Sequence, residues 1–483
     1  MSDLIISLSG IRGIVGESFS DKEAHKATEL FFKIYLKHKK QPQKIIIGQD
    51  IKPTGKIFLK TVASVLHHNK IENIINLGIT TLPIMEWAVK HFQASGGIFI
   101  TASHNPIEYN GVKFISSSQD GAGILSASIM QKIKDKWKDE KTSEITAAEL
   151  PSEKSCADEY NIDVAEKIKK IIDRCAEQTG TGEEIFSKLK EKQLKIALDA
   201  CSKDGLKIPK SFLTFLGIKE ENIYPINTGT LLQCKRRLEP SPIHLTQLKE
   251  TIQKDGLDIG FAFDPDQDRL VIMPLYSEEL TPILCGKFLL ELQKKSKIKY
   301  IKQIVINLST SSLWEELAKE YSVEIIRTRV GEFNVIEAMQ ENNLPLGAEG
   351  NGGVILKDVN LGRNSTVGMA LILAYMIYSK QSIQKLESRL PKYFMVKDKA
   401  TISVEQEKIN EFINEKVDIF TKQNKNDIEL MDKRDGYKII FKDGSWAHIR
   451  TSNTEPIIRI ITESQNEQTA QILASKLKSF LED

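Results

Sequence analysis

The chain has 483 residues, 41% hydrophobic and 27% charged, and its 67 basic and 65 acidic residues leave a net charge of +2. That length suits about three domains, with four permitted, and that charge balance argues against nucleic acid or an anionic membrane as the main partner. The five cysteines (Cys156, Cys175, Cys201, Cys234 and Cys285) are odd in number and lack C-x-x-C spacing, which predicts reduced thiols in a cytoplasmic protein and argues against a disulfide framework or zinc site.

The start, MSDLIISLSGIRG, carries Asp3 where a secretory leader would be basic, so none is expected. Ser9-Gly10-Ile11-Arg12-Gly13 sets an arginine between glycines, which allows close backbone approach and offers a planar fork of donors. Residues 21–40 read as an amphipathic helix. A strand at 45–47, a helix at 56–68, a strand at 72–77 and a helix at 84–92 follow. This alternation predicts a parallel, layered α/β unit. It leads to the apolar run Gly97–Ile100 and then to Thr101-Ala102-Ser103-His104-Asn105-Pro106, a loop closed by the turn signal Tyr109-Asn110-Gly111. Ser103 is thereby expected at the C-terminal end of a strand, where open α/β sheets place ligands. Its hydroxyl needs a base or charge to become a nucleophile, and His104 and Lys113 are near in sequence.

The Lys/Asp/Glu-rich stretch from 129 to about 154 reads as a solvated helix leading to a domain boundary. A second α/β unit has a helix at 159–175, a strand at 195–200 and a loop at Glu239-Pro240-Ser241-Pro242. Its strand at 258–263 delivers Asp264-Pro265-Asp266-Gln267-Asp268-Arg269. Carboxylates at i, i+2 and i+4 in a loop can converge on one hard cation, which relieves their mutual repulsion. A calcium loop would need glycine at its sixth position and glutamate at its twelfth, and both are missing. A third unit, about 279–388, has a strand at 303–308, a helix at 312–319, a strand at 323–327 and the glycine-rich Gly347-Ala348-Glu349-Gly350-Asn351-Gly352-Gly353. Glu349 and Asn351 suit sugar hydroxyls. The apolar run Met369–Tyr378 is too short to span a bilayer. The last unit changes to antiparallel pairing, with strands at 437–441, 445–450 and 457–462 and a terminal helix at 467–481. Arg450-Thr451-Ser452-Asn453-Thr454 gathers donors suited to a phosphate. No internal repeat is visible in the sequence.

The serine, glycine-rich and Arg450 loops alone read as turns, and the aspartate loop alone as an acidic turn or a cation site. Together TASHNPIEYNGVKF, DPDQDR, GAEGNGG and RTSNTEP occur in the order of, and resemble, the phosphoserine, metal, sugar and phosphate loops of the α-D-phosphohexomutases. The resemblance implies three similar α/β sandwich domains and a smaller C-terminal α+β domain around a central cleft, at 1–154, 155–278, 279–388 and 389–483. It implies a phosphosugar mutase that interconverts hexose 6- and 1-phosphates through phosphorylated Ser103 and a hexose 1,6-bisphosphate, the latter also an activator. One Mg²⁺ per chain is implied on Asp264, Asp266, Asp268 and Ser103. Lys113 is the first choice for proton transfer, with His104 and Arg12 assisting. Arg269, Glu349, Asn351, Arg450, Ser452, Asn453 and Thr454 are the expected substrate contacts. Glucosamine phosphate is the preferred substrate, ahead of mannose or glucose phosphates. A metal-dependent phosphotransferase with an Asp264 nucleophile and a non-catalytic sugar-phosphate sensor are the readings from other classes. A monomer or homodimer with no membrane or nucleic-acid partner is expected. The chain departs from the family's pattern at Gln49 and Lys52, where arginine is usual and whose loss weakens the case for a phosphate contact there. It also departs at Asn364 in a GRD-like stretch, and at Asn351-Gly352-Gly353, where serine then glycine-histidine is frequent.

Overall fold

The computed structural model describes residues 4–39, 44–118, 121–142, 144–297, 299–401, 408–451 and 457–482. Ser452, Asn453, Thr454 and Pro456, expected in the phosphate loop, lie outside the described residues. The described residues form four sheets, of seven, four, four and five strands.

The first three sheets repeat one order. In the first, Tyr109–Ser118, Gly96–Ile100, Lys44–Gln49 and Asn73–Ile79 lie side by side. In the second the same places are taken by Leu270–Met273, Ile259–Phe263, Ile196–Asp199 and Ile223–Ile226. In the third they are taken by Gly353–Leu356, Leu346–Glu349, Gln303–Asn307 and Glu324–Thr328. In each, three strands are parallel and the fourth turns back antiparallel on its predecessor. The parallel, layered unit expected of the first domain is therefore mixed. The reversal matters for function: the connection into the antiparallel strand is the Ser103 loop in the first domain, Asp264–Arg269 in the second and Gly350–Gly352 in the third. Three copies of one turn thus supply three different chemistries.

Local sequence explains the elements. Ile259–Phe263 is buried at every residue, as a parallel interior strand covered on both faces requires. Helix Asp21–Ile34 starts with a capping box of Ser20 and Glu23, and helix Leu82–His91 with Thr81 Oγ1 accepting from Ile84 N. The apolar run at 369–378 belongs to helix Ser365–Ser379, which is buried on all sides for most of its length. Its Leu371 shares one hydrophobic cluster with Trp87 of the first domain and Phe261 of the second, so these domains have a common core. No helix among the described residues is long and apolar enough to cross a membrane.

The fourth domain is an antiparallel sheet ordered Phe394–Thr401, Ile457–Ser464, Trp446–Thr451, Tyr437–Phe441, Ile428–Asp432. Helices Ile409–Gln423 and Glu467–Glu482 share its core through Val417 and Leu477.

A second expectation is corrected. Among its described residues the charged stretch from 129 to 154 is helical only as far as Lys136, within helix Ala127–Lys136. Beyond it the T-S-E-I-T-A-A-E-L-P segment has no helical apolar spacing, and its backbone groups find partners on the first domain instead. Ala148 N donates to Ser64 Oγ, and Pro151 O accepts from Asn76 Nδ2.

Candidate active site

Ser103 sits three residues past strand Gly96–Ile100 with φ of +51°, a left-handed conformation that only a well-braced loop holds in a non-glycine residue. The bracing can be traced. Ser103 N donates to Thr101 Oγ1 at 2.8 Å, and Thr101 Oγ1 donates to Asp50 Oδ2 at 2.5 Å. Asp50 Oδ1 accepts from Lys52 N at 2.8 Å, and Lys52 Nζ donates to Asn105 O at 2.7 Å and Pro106 O at 3.0 Å. Lys52 is fully buried. The departure from arginine thus has a structural account: the lysine ties down the serine loop's backbone rather than facing a ligand. Arg12 NH1 donates to Asn105 Oδ1 at 2.8 Å from the other side of the loop.

The second domain meets this loop. Ser103 Oγ donates to Asp264 Oδ2 at 3.4 Å and lies 3.3 Å from His104 Nδ1. The Asp264, Asp266 and Asp268 carboxylates are buried and bring oxygens within 4.8 Å of one another. Asp266 Oδ1 and Asp268 Oδ1 have no hydrogen-bond partner among the described residues. Buried carboxylate oxygens left bare and convergent fit a hard divalent cation of the Mg²⁺ type. Cations surround them. Lys113 Nζ, on strand Tyr109–Ser118, donates to Asp266 Oδ2 at 2.7 Å and Asp268 Oδ2 at 3.5 Å. Arg269 Nε lies 3.7 Å from Asp264 Oδ2, while its NH1 donates to Glu239 Oε1 at 2.7 Å. Arg363 NH2 donates to Asp268 Oδ2 at 2.5 Å.

The electrostatics separate these groups. Burial, then the Asp268 and Asp266 charges, push the Asp264 carboxyl well above its usual range. Burial also acts on Asp268, but Arg363 and Lys113 outweigh it and hold that carboxyl below the usual range. Lys113 is likewise opposed by burial, and Asp266 and Asp268 overcome this to push its ammonium up to about 12. Burial and the neighbouring Arg269 hold the His104 imidazole well below its ordinary value, so it is neutral.

The third domain closes one side. Glu349 Oε1 accepts from Asn307 Nδ2 at 2.9 Å, and its Oε2 accepts from Arg363 NH1 at 2.8 Å. Asn351 Oδ1 is buried and unpartnered among the described residues. Gly352, at φ of +86°, packs so tightly that a Cβ there would lie 2.2 Å from Leu270 O, the residue after the metal loop. The sugar and metal loops are thus in contact.

The fourth domain brings Arg450, on strand Trp446–Thr451, within the electrostatic reach of Glu349. Burial works against the Arg450 charge, and its Nε has no partner among the described residues. From strand Phe394–Thr401, Lys397 Nζ donates to Glu278 Oε1 at 2.8 Å, Glu279 Oε1 at 3.3 Å and Gly350 O at 3.3 Å, which pins this domain to the sugar loop. Burial pushes the Glu279 carboxyl up to about 7 against the pull of Lys397. The unfolded carboxyl titrates near 4.5, so the folded state binds the extra proton between the two values, and stability falls as pH rises through this window. Glu279→Gln is expected to flatten that slope by on the order of 2 kcal/mol between pH 5 and 8, read as melting temperature against pH. Parallel curves for the two proteins would show that Glu279 ionises normally.

The structure brings together Ser103, His104, Lys113, Arg12, the three aspartates, Arg269 and Glu349. Lys52, Glu239, Arg363 and Lys397 complete the surroundings without having been singled out as ligands by sequence. For Arg363 the GRNS stretch was the available signal, and for Lys52 the departure from arginine was.

Chemically, a braced serine hydroxyl beside a buried carboxylate trio, which Arg363 joins to Glu349 of the glycine-rich loop, is an arrangement suited to phosphoryl transfer. Comparison with known proteins agrees. Residues 4–144, 177–274, 281–394 and 394–478 match, respectively, α/β/α domains I, II and III and the C-terminal domain of phosphoglucomutase/phosphomannomutase. The chain belongs to the α-D-phosphohexomutase superfamily. It is 28% identical over 480 residues to a phosphoglucosamine/phosphogalactosamine mutase of Sulfurisphaera tokodaii, covering 99% of both chains. It is also 28% identical over 466 residues to a phosphoglucomutase/phosphomannomutase of Thermococcus kodakarensis, covering 96% of this chain and 95% of the relative. The crystal structure of a phosphoglucomutase/phosphomannomutase family protein from Burkholderia thailandensis shares the fold, with a TM-score of 0.73 at 17% identity, covering 99% of this chain and 98% of that one.

Proposed function

We propose that this phosphohexomutase interconverts glucosamine 6-phosphate and glucosamine 1-phosphate through a phosphoserine at Ser103 and an enzyme-held hexose 1,6-bisphosphate. The observation that carries the chemistry is the meeting of Ser103 Oγ with Asp264 Oδ2 at 3.4 Å inside the buried carboxylate trio. The E-G-N-G-G form of the sugar loop and the phosphoglucosamine/phosphogalactosamine mutase relative favour an amino sugar. The Thermococcus relative keeps mannose and glucose phosphates as the second reading.

Asp264, Asp266 and Asp268 would hold one Mg²⁺, which when bound supplies charge neutralisation for the transferring phosphoryl oxygens. Ser103 carries the phosphoryl group, and a sugar hydroxyl attacks it. In the first transfer one proton leaves the attacking sugar hydroxyl and one reaches the departing Ser103 Oγ; in the return transfer Ser103 Oγ attacks and gives up its proton while the departing sugar oxygen gains one, so a relay with no net gain suffices. The neutral His104 Nδ1 at 3.3 Å suits the Ser103 end of that relay. Lys113, held as an ammonium by its two carboxylates, suits proton donation and recovery more than abstraction from rest. Arg12 and Arg269 add positive charge, and Glu349 and Asn351 accept or donate to the ring hydroxyls. The bisphosphate turns over in the cleft and returns its other phosphate to Ser103.

Purified protein assayed with glucosamine, glucose and mannose 6-phosphates tests the substrate, and the highest kcat/KM is expected for glucosamine. A preference for mannose or glucose phosphate would install the second reading. Arg450, with its buried and unpartnered Nε, is proposed to anchor the phosphate that is not reacting. A charge-assisted hydrogen bond contributes about 1.5–3 kcal/mol. Arg450→Ala should raise KM about ten- to a hundredfold. The 6- and 1-phosphates should suffer alike because one loop serves both orientations. Loss for one substrate alone would assign the other orientation to a different loop.

A further inference from the structure

The stretch Asn360-Leu361-Gly362-Arg363-Asn364 faces two ways. Towards the site, Arg363 NH2 donates to Asp268 Oδ2 at 2.5 Å, and Arg363 NH1 donates to Glu349 Oε2 at 2.8 Å. One guanidinium therefore grips an acid of the metal loop and an acid of the sugar loop. Glu332 steadies it: its Oε1 accepts from Arg363 N at 2.7 Å, and its Oε2 lies 3.4 Å from NH2. Away from the site, Asn360 Nδ2 donates to Glu86 Oε2 at 2.7 Å, in the first domain's helix Leu82–His91. Asn364 Nδ2 donates to Asn360 Oδ1 at 2.8 Å, and Tyr160 Oη, from the second domain, donates to Asn364 Oδ1 at 3.1 Å. Asn364 also caps helix Ser365–Ser379 by accepting from Val367 N. The base of Arg363 is thus fixed to two neighbouring domains while its head joins two loops. This also gives Asn364 its reason: it donates to one buried partner and accepts from others, which an ionised acid cannot do.

The sugar loop is shaped around this arginine. A Cβ on Gly353 would lie 2.3 Å from Arg363 Cδ and 2.8 Å from its Cγ. The arginine stem occupies the room that a side chain at 353 would take, so the last glycine of E-G-N-G-G and Arg363 act as one device.

We propose that Arg363 is a positioning residue that couples the metal loop to the sugar loop. It fixes the Glu349 carboxylate relative to Asp268, so that cation binding at the aspartates and sugar binding at Glu349 strengthen each other. The planar fork holds both carboxylates in a set relation that a point charge cannot impose. A cation that orders Asp268 thereby orders Glu349, and linkage makes the effect reciprocal. The inference rests on the phosphohexomutase reading for the sugar's place at Glu349.

The test measures binding, with turnover recorded separately. Glucosamine 6-phosphate is titrated calorimetrically into the full chain with Mg²⁺ and with chelator, and Mn²⁺ is titrated as a spectroscopic probe with and without the sugar phosphate. In the natural protein each is expected to tighten the other by about tenfold or more. Arg363→Met should bring that factor to about threefold or less, and Arg363→Lys should fall between, because it holds one carboxylate and not two. Arg363→Met leaves three buried carboxylates short of a partner and can fail to fold. Gly353→Ala keeps every charge and instead displaces the arginine stem. It should lose the same coupling, and in the double variant the losses should not add. A coupling factor unchanged in Gly353→Ala and Arg363→Lys would overturn the proposal, since the sugar phosphate would then sense the cation by direct contact. Additive losses would overturn it as well. Natural protein that shows the coupling but no turnover would refute the mutase reading and leave Arg363's role standing.

Discussion

Ser103→Ala is expected to lower interconversion of glucosamine phosphates by at least about four orders of magnitude, because no oxygen remains to carry the phosphoryl group between sugar positions. The fold should survive. Ser103 Oγ makes only long contacts, 3.3 Å to His104 Nδ1 and 3.4 Å to Asp264 Oδ2, while the short bond from its backbone N to Thr101 Oγ1 does not involve the side chain. The positive φ is as unfavourable for alanine as for serine. Stability should therefore stay within about 1 kcal/mol of the natural protein, read by thermal melting. Intact mass after incubation with glucose 1,6-bisphosphate should show one added phosphate on the natural protein and none on the variant. The rival chemistry, with Asp264 as nucleophile, predicts the reverse: an active variant whose phosphate is an acyl phosphate, labile to hydroxylamine. Retained turnover together with such a label would end the phosphoserine reading.

The loops proposed to carry this chemistry were legible because the four together, in order, resemble the loops of one family. Three aspartates directly after the buried run D-I-G-F-A-F read alone as an acidic turn or a cation site, and two of their oxygens have no hydrogen-bond partner among the described residues. The repeat through three domains was expected from the family resemblance alone, and the residues of the strands do not display it. A buried strand needs an apolar residue at each place and not a particular one, so G-G-I-F-I, I-G-F-A-F and L-G-A-E fill equivalent places without visible similarity. The antiparallel return in each sheet escaped for a related reason. Strand direction follows from connection length: a parallel return needs about a dozen residues or more and these loops are shorter, a constraint that hydrophobic periodicity does not carry. Lys52 and Arg363 act through partners 53 and 95 residues away, Asn105 and Asp268, and a single sequence carries no sign of such pairings. The stretch from 129 to 154 misled because charge run and helix often coincide. Here only Ala127–Lys136 has the apolar spacing, with Met130 and Ile133 buried.

Asp266→Ala should separate stability from function in the opposite way to a core substitution. Turnover should fall by about three orders of magnitude or more, since a cation contributes several kcal/mol of charge stabilisation in the transition state and a two-carboxylate site holds it poorly. Without metal the variant should be no less stable than the natural protein, within about 1 kcal/mol. Burial pushes the Asp264 carboxyl upward and the charges of Asp268 and Asp266 push it further, so deleting one relieves crowding. Against that relief, Lys113 loses its 2.7 Å partner and keeps Asp268 at 3.5 Å. The two effects have opposite sign. The difference appears when Mg²⁺ is added. A ligand that binds the folded state alone stabilises it by about 2.7 kcal/mol at a hundred times its Kd. The natural protein should therefore melt at a higher temperature in millimolar Mg²⁺ than in chelator, reversibly, and the variant should melt at the same temperature in both. If the variant keeps the full Mg²⁺ shift, the cation sits elsewhere. If it melts far lower in chelator, Asp266 is a structural partner of Lys113 first and a ligand second.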